Sequence, residues 1–354
     1  MTKRADDGLA FMLRYENVAW YEGGAVRILD RRIYPIRTEF VTCRSHTEVA
    51  RAIADMVTQS AGPYYAAAMG MALAAYEAKD RADFADYMEK AAYTLSHARP
   101  TTVARMEAIT SDCLRAAMQA KEEGRPVDLA VFQFAFGMME FRYARMAKTA
   151  SVLVDHFPKK GSVMTQCFGE TVVGCFLREA AARGYDLKIF CPETRPYFQG
   201  ARLTASVACD QGFDVTVITD NMPGFTMMKK GIDVFTSAAD AICMDGHIIN
   251  KVGTFQIALC ANYFGVPYFV TGAPDKKHLT ATDVKIEERD PALVMDALGT
   301  RTTMEGVKGW YPAFDITPPH LVSGVATDKG MFSAWDLAGY FRSDEPGLYS
   351  TPVC

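Results

Sequence analysis

The chain has 354 residues, of which 49% are hydrophobic and 23% charged, with a formal net charge of −4 at pH 7. That is ordinary for a globular protein with room for two domains. The acidic balance supplies no basic stripe for phosphate backbones, and no apolar run reaches bilayer length, so neither a nucleic-acid nor a membrane partner is expected.

The N-terminal stretch MTKRADDGLAF carries acids where a secretory signal needs its apolar core. Residues 10–45 then alternate apolar and polar, and Glu22-Gly23-Gly24 signals a hairpin. From about Thr47 to Lys148 the period becomes helical, in HTEVARAIADMV, YYAAAMGMALAAYEAK, RADFADYMEKAAYTLSHA and ARMEAITSDCLRAAMQAKEEG. GRPVD, residues 124–128, reads as a turn between two helices. Residues 1–150 are therefore expected to be a small, mainly helical N-terminal domain carrying a β-hairpin.

Near Lys159-Lys160-Gly161 the rhythm changes. SVMTQC, DLKIFC, DVTVIT, VFTSAADAICM and VPYFVTG alternate with helical windows. Continuous apolar strands separated by helices predict a parallel, Rossmann-like sheet covered on both faces, over residues 151–354. The tail after about Gly330 has a mixed pattern suited to packing on a partner chain.

Ligands of open parallel sheets bind beyond the carboxyl ends of the strands. Those ends carry Cys167 before Phe168-Gly169, Glu193-Thr194-Arg195, Asp220-Asn221, Asp240, and Asn250-Lys251. The stretch PETRPYFQGARLTA, residues 192–205, brackets Gln199-Gly200 with Arg195 and Arg202, as a rim for an anionic ligand would. No G-x-G-x-x-G follows the first strand of this half, and Walker A, H-E-x-x-H and G-x-S-x-G motifs are missing. The six histidines are dispersed. No cofactor and no metal are expected. The nine cysteines contain no C-x-x-C pair, which suits reduced thiols in a cytoplasm.

Five ordered stretches, R195-P-Y-F-Q-G-A-R-L-T-A205, ITDNMPG (218–224), the ADAI around Asp240, N250-K-V-G-T254 and PAFDITPP (312–319), resemble the S-methyl-5-thioribose-1-phosphate isomerases. Related families are the ribose-1,5-bisphosphate and 5-deoxyribose-1-phosphate isomerases and the regulatory subunits of translation initiation factor 2B. VAWYEGGAVRILDRR, YYAAAMGMALA and HARPTT (97–102) follow the same pattern, so the likeness covers nearly the whole chain. It implies a helical N-terminal domain, a Rossmann-like C-terminal domain and a homodimer. The implied reaction converts an aldose 1-phosphate to a ketose 1-phosphate without metal or cofactor. Catalytic roles would fall on Cys167 and Asp240, and substrate contacts on Gln59, Ser60, Arg99, Gln199, Asn250 and Lys251. The physics suits these roles: a carboxyl in an apolar setting keeps its proton for the ring oxygen, and a thiolate eased by a helix N-terminus near Gly169 accepts one, with a hydride shift in a dry pocket as the competing route. Three segments depart from the family pattern. Gln59 to Tyr65 stands where the thioribose branch has R-G-A-P-A-I-G, Gln166-Cys167-Phe168-Gly169 replaces H-C-N-x-G, and Met244-Asp245-Gly246-His247 replaces A-N-G-D. They bear on the phosphate grip and the C5 pocket more than on the reaction type. A non-catalytic regulator is the alternative from another class.

Overall fold

Gly23 and Gly24 take φ of 57° and 77°, closing a two-residue turn between Ala19–Glu22 (β1) and Ala25–Leu29 (β2). Turns with both central residues at positive φ match the twist of the flanking strands. A Cβ on Gly24 would also sit 2.6 Å from the Tyr76 ring. Phe40–Cys43 (β3) pairs with β2, so the expected hairpin is a three-stranded meander, preceded by the short helix Tyr15–Val18 (α1). The computed structural model describes residues 4–99, 103–342 and 348. Pro100, Thr101 and Thr102 of the HARPTT stretch lie outside the described residues, as does Cys354.

Five helices follow: His46–Ala54 (α2), Gly62–Ala78 (α3), Phe84–Ser96 (α4), Val103–Glu122 (α5) and Val127–Val154 (α6). The Ser45 side chain caps α2 by accepting from the Glu48 N–H. α3 is buried on nearly every face, from Gly62 to Ala78, as a central helix must be. Gly70 makes room for its neighbours, because a Cβ there would lie 2.9 Å from Leu95 and 3.1 Å from Val49. The chain divides into two compact units between Ala144 and Arg145, inside α6.

The second unit is a mixed α/β unit. Its elements run Lys160–Met164 (β4), Thr171–Ala182 (α7), Asp186–Pro192 (β5), Ala205–Asp210 (α8), Asp214–Ile218 (β6), Pro223–Lys230 (α9), Val234–Ala238 (β7), Ala241–Ile242 (β8), Ile248–Lys251 (β9), Thr254–Phe264 (α10) and Tyr268–Thr271 (β10). Then come Ala292–Met295 (α11), Asp296–Ala297 (β11), Thr300–Arg301 (β12), Phe314–Thr317 (β13), Gly324–Thr327 (β14) and Gly330–Phe332 (β15). The main sheet has the order β15-β14-β10-β7-β4-β5-β6, and only the β14–β15 pair is antiparallel. The chain steps from β4 through β5 to β6, then returns to the other side of β4 for β7, β10 and β14. A topological switch point therefore lies between β4 and β7.

One expectation is corrected here. VFTSAADAICM is not one strand: it splits into β7 and β8, and β8 joins β9 and β13 in a separate antiparallel sheet. The tail after Gly330, as far as it is described, packs within its own unit. β15 pairs with β14, and the Tyr340 hydroxyl donates to Asp328 (2.9 Å), which also accepts from Arg145 (3.1 Å).

Candidate functional site

Cys167 leaves the carboxyl end of β4 at φ 57°, and Glu170, Thr194 and Phe198 take φ of 52°, 63° and 56°. Left-handed backbone is costly for side-chain-bearing residues and gathers where the surroundings enforce it, often at ligand sites. Here all four lie just beyond β4 and β5. The Cys167 N–H donates to the Thr194 hydroxyl (3.2 Å), and the Thr204 hydroxyl donates to the Cys167 carbonyl. Asp220, beyond β6, accepts from the N–H groups of Thr194 (2.8 Å) and Arg195 (2.7 Å). Three strand ends are thereby locked around one thiol.

That thiol is neutral at ordinary pH. Burial pushes Cys167 up to about 11; Lys251 opposes the shift, and Asp240 and Asp220 add to it. The expected easing of the thiolate near Gly169 is limited to the Phe168 backbone N–H, and it is outweighed. α7 starts at Thr171, behind the strained Glu170, and desolvation outweighs nearby favourable charge.

Asp240 follows β7, on the other side of the switch point from Cys167. Its N–H donates to the Ile249 carbonyl (2.9 Å), tying it to β9. Its side chain is exposed, so the apolar setting expected from its neighbours in sequence is absent. Asn250 and Lys251 do not end a parallel strand either. They lie within β9, where register places Asn250 opposite Asp315 and Lys251 opposite Phe314 of β13. Asn250 is buried and donates to the Thr254 hydroxyl (3.0 Å). Lys251 is buried with its ammonium 4.6 Å from the Phe314 ring centroid. Burial lowers its pKa, and Cys167, Asp240 and Glu287 pull the other way.

The helix after Asn250 is capped by another residue. Asp315 Oδ2 accepts from the N–H groups of Gly253 (2.6 Å) and Phe255 (3.1 Å) at the start of α10. Its carboxyl is raised to about 6 by burial, against those two donors and Lys251. Asp315 stood inside the motif PAFDITPP, yet nothing in its spacing showed that it would face the turn before α10.

The rim at 192–205 divides in two. Gln199 is buried with its side-chain oxygen lacking a hydrogen-bond partner among the described residues, ready for a ligand donor. Gly200 follows because a Cβ there would fall 1.8 Å from the Pro192 carbonyl. The two arginines, by contrast, serve backbone. Arg195 donates to the Asp296 carbonyl (2.5 Å) and lies near those of Leu293 and Val294, while Arg202 donates to the Tyr197 carbonyl (2.8 Å). Neither is a cradle for an anion as expected.

Gln59, Ser60 and Arg99 belong to the first unit. Gln59 is buried and its carbonyl accepts from the fully buried Arg31 (2.8 Å). Ser60 is exposed at φ 59° and Arg99 is half-buried. Tyr64, in the same segment, stacks beneath two guanidinium groups, those of Arg142 at 5.2 Å and Arg105 at 5.5 Å.

Residues 60–334 match the model of the initiation factor 2 subunit family. The chain belongs to that family. Among its members, a methylthioribose-1-phosphate isomerase of Thermosipho africanus is 33% identical over 88% of this chain and 93% of its own. Two solved structures superpose with a TM-score of 0.79. One is the delta subunit of translation initiation factor eIF-2B from A. fulgidus, 28% identical over 90% of this chain and 96% of that one. The other is 5-methylthioribose 1-phosphate isomerase from Pyrococcus horikoshii, 26% identical over 91% and 95%. This member of the initiation factor 2 subunit family thus resembles both a protein named as an isomerase and one named as an initiation-factor subunit. Among the described residues no group of three or more His, Cys, Asp or Glu is placed to hold a metal, and no helix is long and apolar enough to cross a membrane.

Proposed function

We propose that the chain is an aldose–ketose isomerase acting on a 5-substituted ribose 1-phosphate, S-methyl-5-thioribose 1-phosphate or a close analogue, to give the ribulose 1-phosphate. One observation carries this reading: Cys167 and Asp240 follow the two strands that flank the switch point, with buried Lys251 in electrostatic reach of both. A regulator that only binds has no need of a strained thiol beside a carboxylate.

The C1 phosphate blocks the spontaneous ring opening of a free sugar, so the ring oxygen must be protonated while the phosphate stays attached. Asp240 donates that proton as the ring oxygen–C1 bond breaks. Cys167, as thiolate, takes the C2 hydrogen as a proton, leaving an enol between C1 and C2. Protonation of C1 and loss of the C2 hydroxyl proton give the ketose, with no net oxidation. Lys251 holds phosphate charge, Asn250 fixes the turn before α10, and Gln199 accepts from a sugar hydroxyl.

The test is turnover of ribose 1-phosphates carrying methylthio, hydrogen, hydroxyl or phosphate at C5. The methylthio compound is expected to give the highest kcat/KM. Preference for the 5-deoxy compound or the bisphosphate moves the enzyme to a sister activity. The likeness to the eIF-2B delta subunit supports a second reading, a non-catalytic regulator. Binding of all four compounds without turnover of any would establish it.

We also assign a homodimer. α9 and α10 pack together, with Gly224 against Cys260, and present Phe225, Met228 and Tyr263 at 61%, 53% and 82% exposure. An apolar face of that kind on a water-facing unit fits a second copy. Phe225→Glu is expected to shift the protein from dimer to monomer mass in light scattering; a monomeric wild type refutes the assignment. The eight cysteines that are described are all unpaired, as in a cytoplasmic protein.

A further inference from the structure

Between β10 and β13 the chain runs through about forty residues that returned no site residue in the sequence. Its stem is regular. Glu288 bridges Pro312, the Arg289 N–H donates to the Tyr311 carbonyl (3.0 Å), and the Ala313 N–H donates to the Glu287 carbonyl (2.8 Å). Residues 287–289 therefore run antiparallel to 311–313, the segment leading into β13, and β13 pairs with the strand that carries Asn250 and Lys251. Backbone hydrogen bonds fix the position of both stem segments.

Two side chains on this stem face the groups already described. The Arg289 guanidinium lies 5.7 Å from the Phe314 ring centroid, the ring that Lys251 also overlies, and 5.9 Å from that of Tyr197. Glu287 holds it with two bonds, at 2.9 and 3.1 Å. Tyr311 has its ring 6.3 Å from Tyr197 and is 2% exposed. Its hydroxyl has no hydrogen bond of good geometry among the described residues; Arg289 is in reach but can only donate to it, so the phenol proton is left to give. A buried phenol ordinarily finds a partner, and one left open beside a binding site marks the place of a ligand atom.

We propose that Tyr311 is a further substrate-contacting residue, its hydroxyl donating to a phosphate oxygen of the ligand that Lys251 anchors. The proposal rests on the sugar-phosphate reading above. Two observations favour phosphate over a sugar hydroxyl: Lys251 and Arg289 make this end of the site cationic, and the acceptor must take a proton from a phenol that stays protonated. Burial, with smaller contributions from Tyr197 and Cys167, pushes that phenol up to about 12 against the charge and the donated hydrogen bond of Arg289. The same Cys167 contribution puts the hydroxyl within electrostatic reach of the reacting thiol. Arg289, already held by Glu287, is a positioning residue that keeps the stem and its tyrosine in place.

Tyr311→Phe removes the hydroxyl alone. The expected result is about a tenfold rise in KM and in the inhibition constant for inorganic phosphate, as for loss of one hydrogen bond to a charged acceptor, with kcat within about twofold and an unchanged melting temperature. Unchanged KM and phosphate inhibition in a folded variant overturn the proposal. Should the phenylalanine variant not fold, 3-fluorotyrosine at 311 makes the phenol a stronger donor and is expected to tighten phosphate binding; no tightening overturns the proposal. If the wild type turns over no ribose 1-phosphate, the isomerase reading fails but this one is still tested, by calorimetric binding of phosphate to wild type and Tyr311→Phe. Wild type that binds no phosphate refutes both.

Discussion

Cys167→Ser is expected to lower kcat/KM by at least about a hundredfold, the usual scale for a positioned acid or base. Serine keeps the size and the strained backbone at φ 57°, which Thr194, Thr204 and Asp220 hold in place, so the loss falls on the proton transfer itself. The thiol is already hard to ionise at about 11, and a serine hydroxyl is much harder. This gives the wild type a definite pH dependence. Below its pKa the thiolate fraction grows tenfold per pH unit, so kcat/KM should climb with pH while the ring-opening acid keeps its proton and level off once that acid ionises. Alkylation of Cys167, which needs no acid, should keep rising with pH up to the thiol's pKa and be slowed by bound phosphate. A flat profile together with a deuterium label kept from C2 to C1 would replace the thiolate base by a hydride shift. Near wild-type turnover in the serine variant removes Cys167 from the mechanism.

Asp240→Asn should be nearly as damaging in kcat, again by about a hundredfold or more, while KM moves only severalfold. Asparagine fills the same space, and the backbone bond from residue 240 to Ile249 does not depend on the side chain. What is lost is the proton delivered to the ring oxygen, an event of the transition state rather than of binding. Because Asp240 is exposed while the half-buried Asp315 carboxyl is raised to about 6, the comparison has a sharp alternative. If Asp240→Asn keeps full kcat and Asp315→Asn abolishes it, the ring-opening acid is Asp315, and its hold on the Gly253 turn serves catalysis directly.

Much of the architecture was legible in local patterns. The meander turn could be read from adjacent glycines because φ above zero is a single-residue property. The interior strands β4, β5, β7 and β10 could be read from continuous apolar runs, since a strand covered on both faces has no polar side to show, and β6, at the sheet edge, from its β-branched residues. Cys167 stood out by its place after the first of those runs. The β8–β9–β13 sheet was hidden because its strands are short and their partners far apart in the chain: β9 pairs with β13 more than sixty residues later.

The sequence by itself determined a mainly helical half followed by an α/β half, and it singled out Cys167, Asp240, Gln199, Asn250 and Lys251 as the candidates proposed above for the site. Each follows from short-range spacing or from a motif. Only the tertiary structure decided their states. Desolvation sums over every neighbour in space, and it pushed the Cys167 thiol and the Asp315 carboxyl up. Pairing across distant segments gave Arg195 to the carbonyls at 293–296, and brought Arg289 to the Phe314 ring that Lys251 overlies and Tyr311 to Tyr197. Those contacts join residues far apart in the chain, where periodicity carries no information.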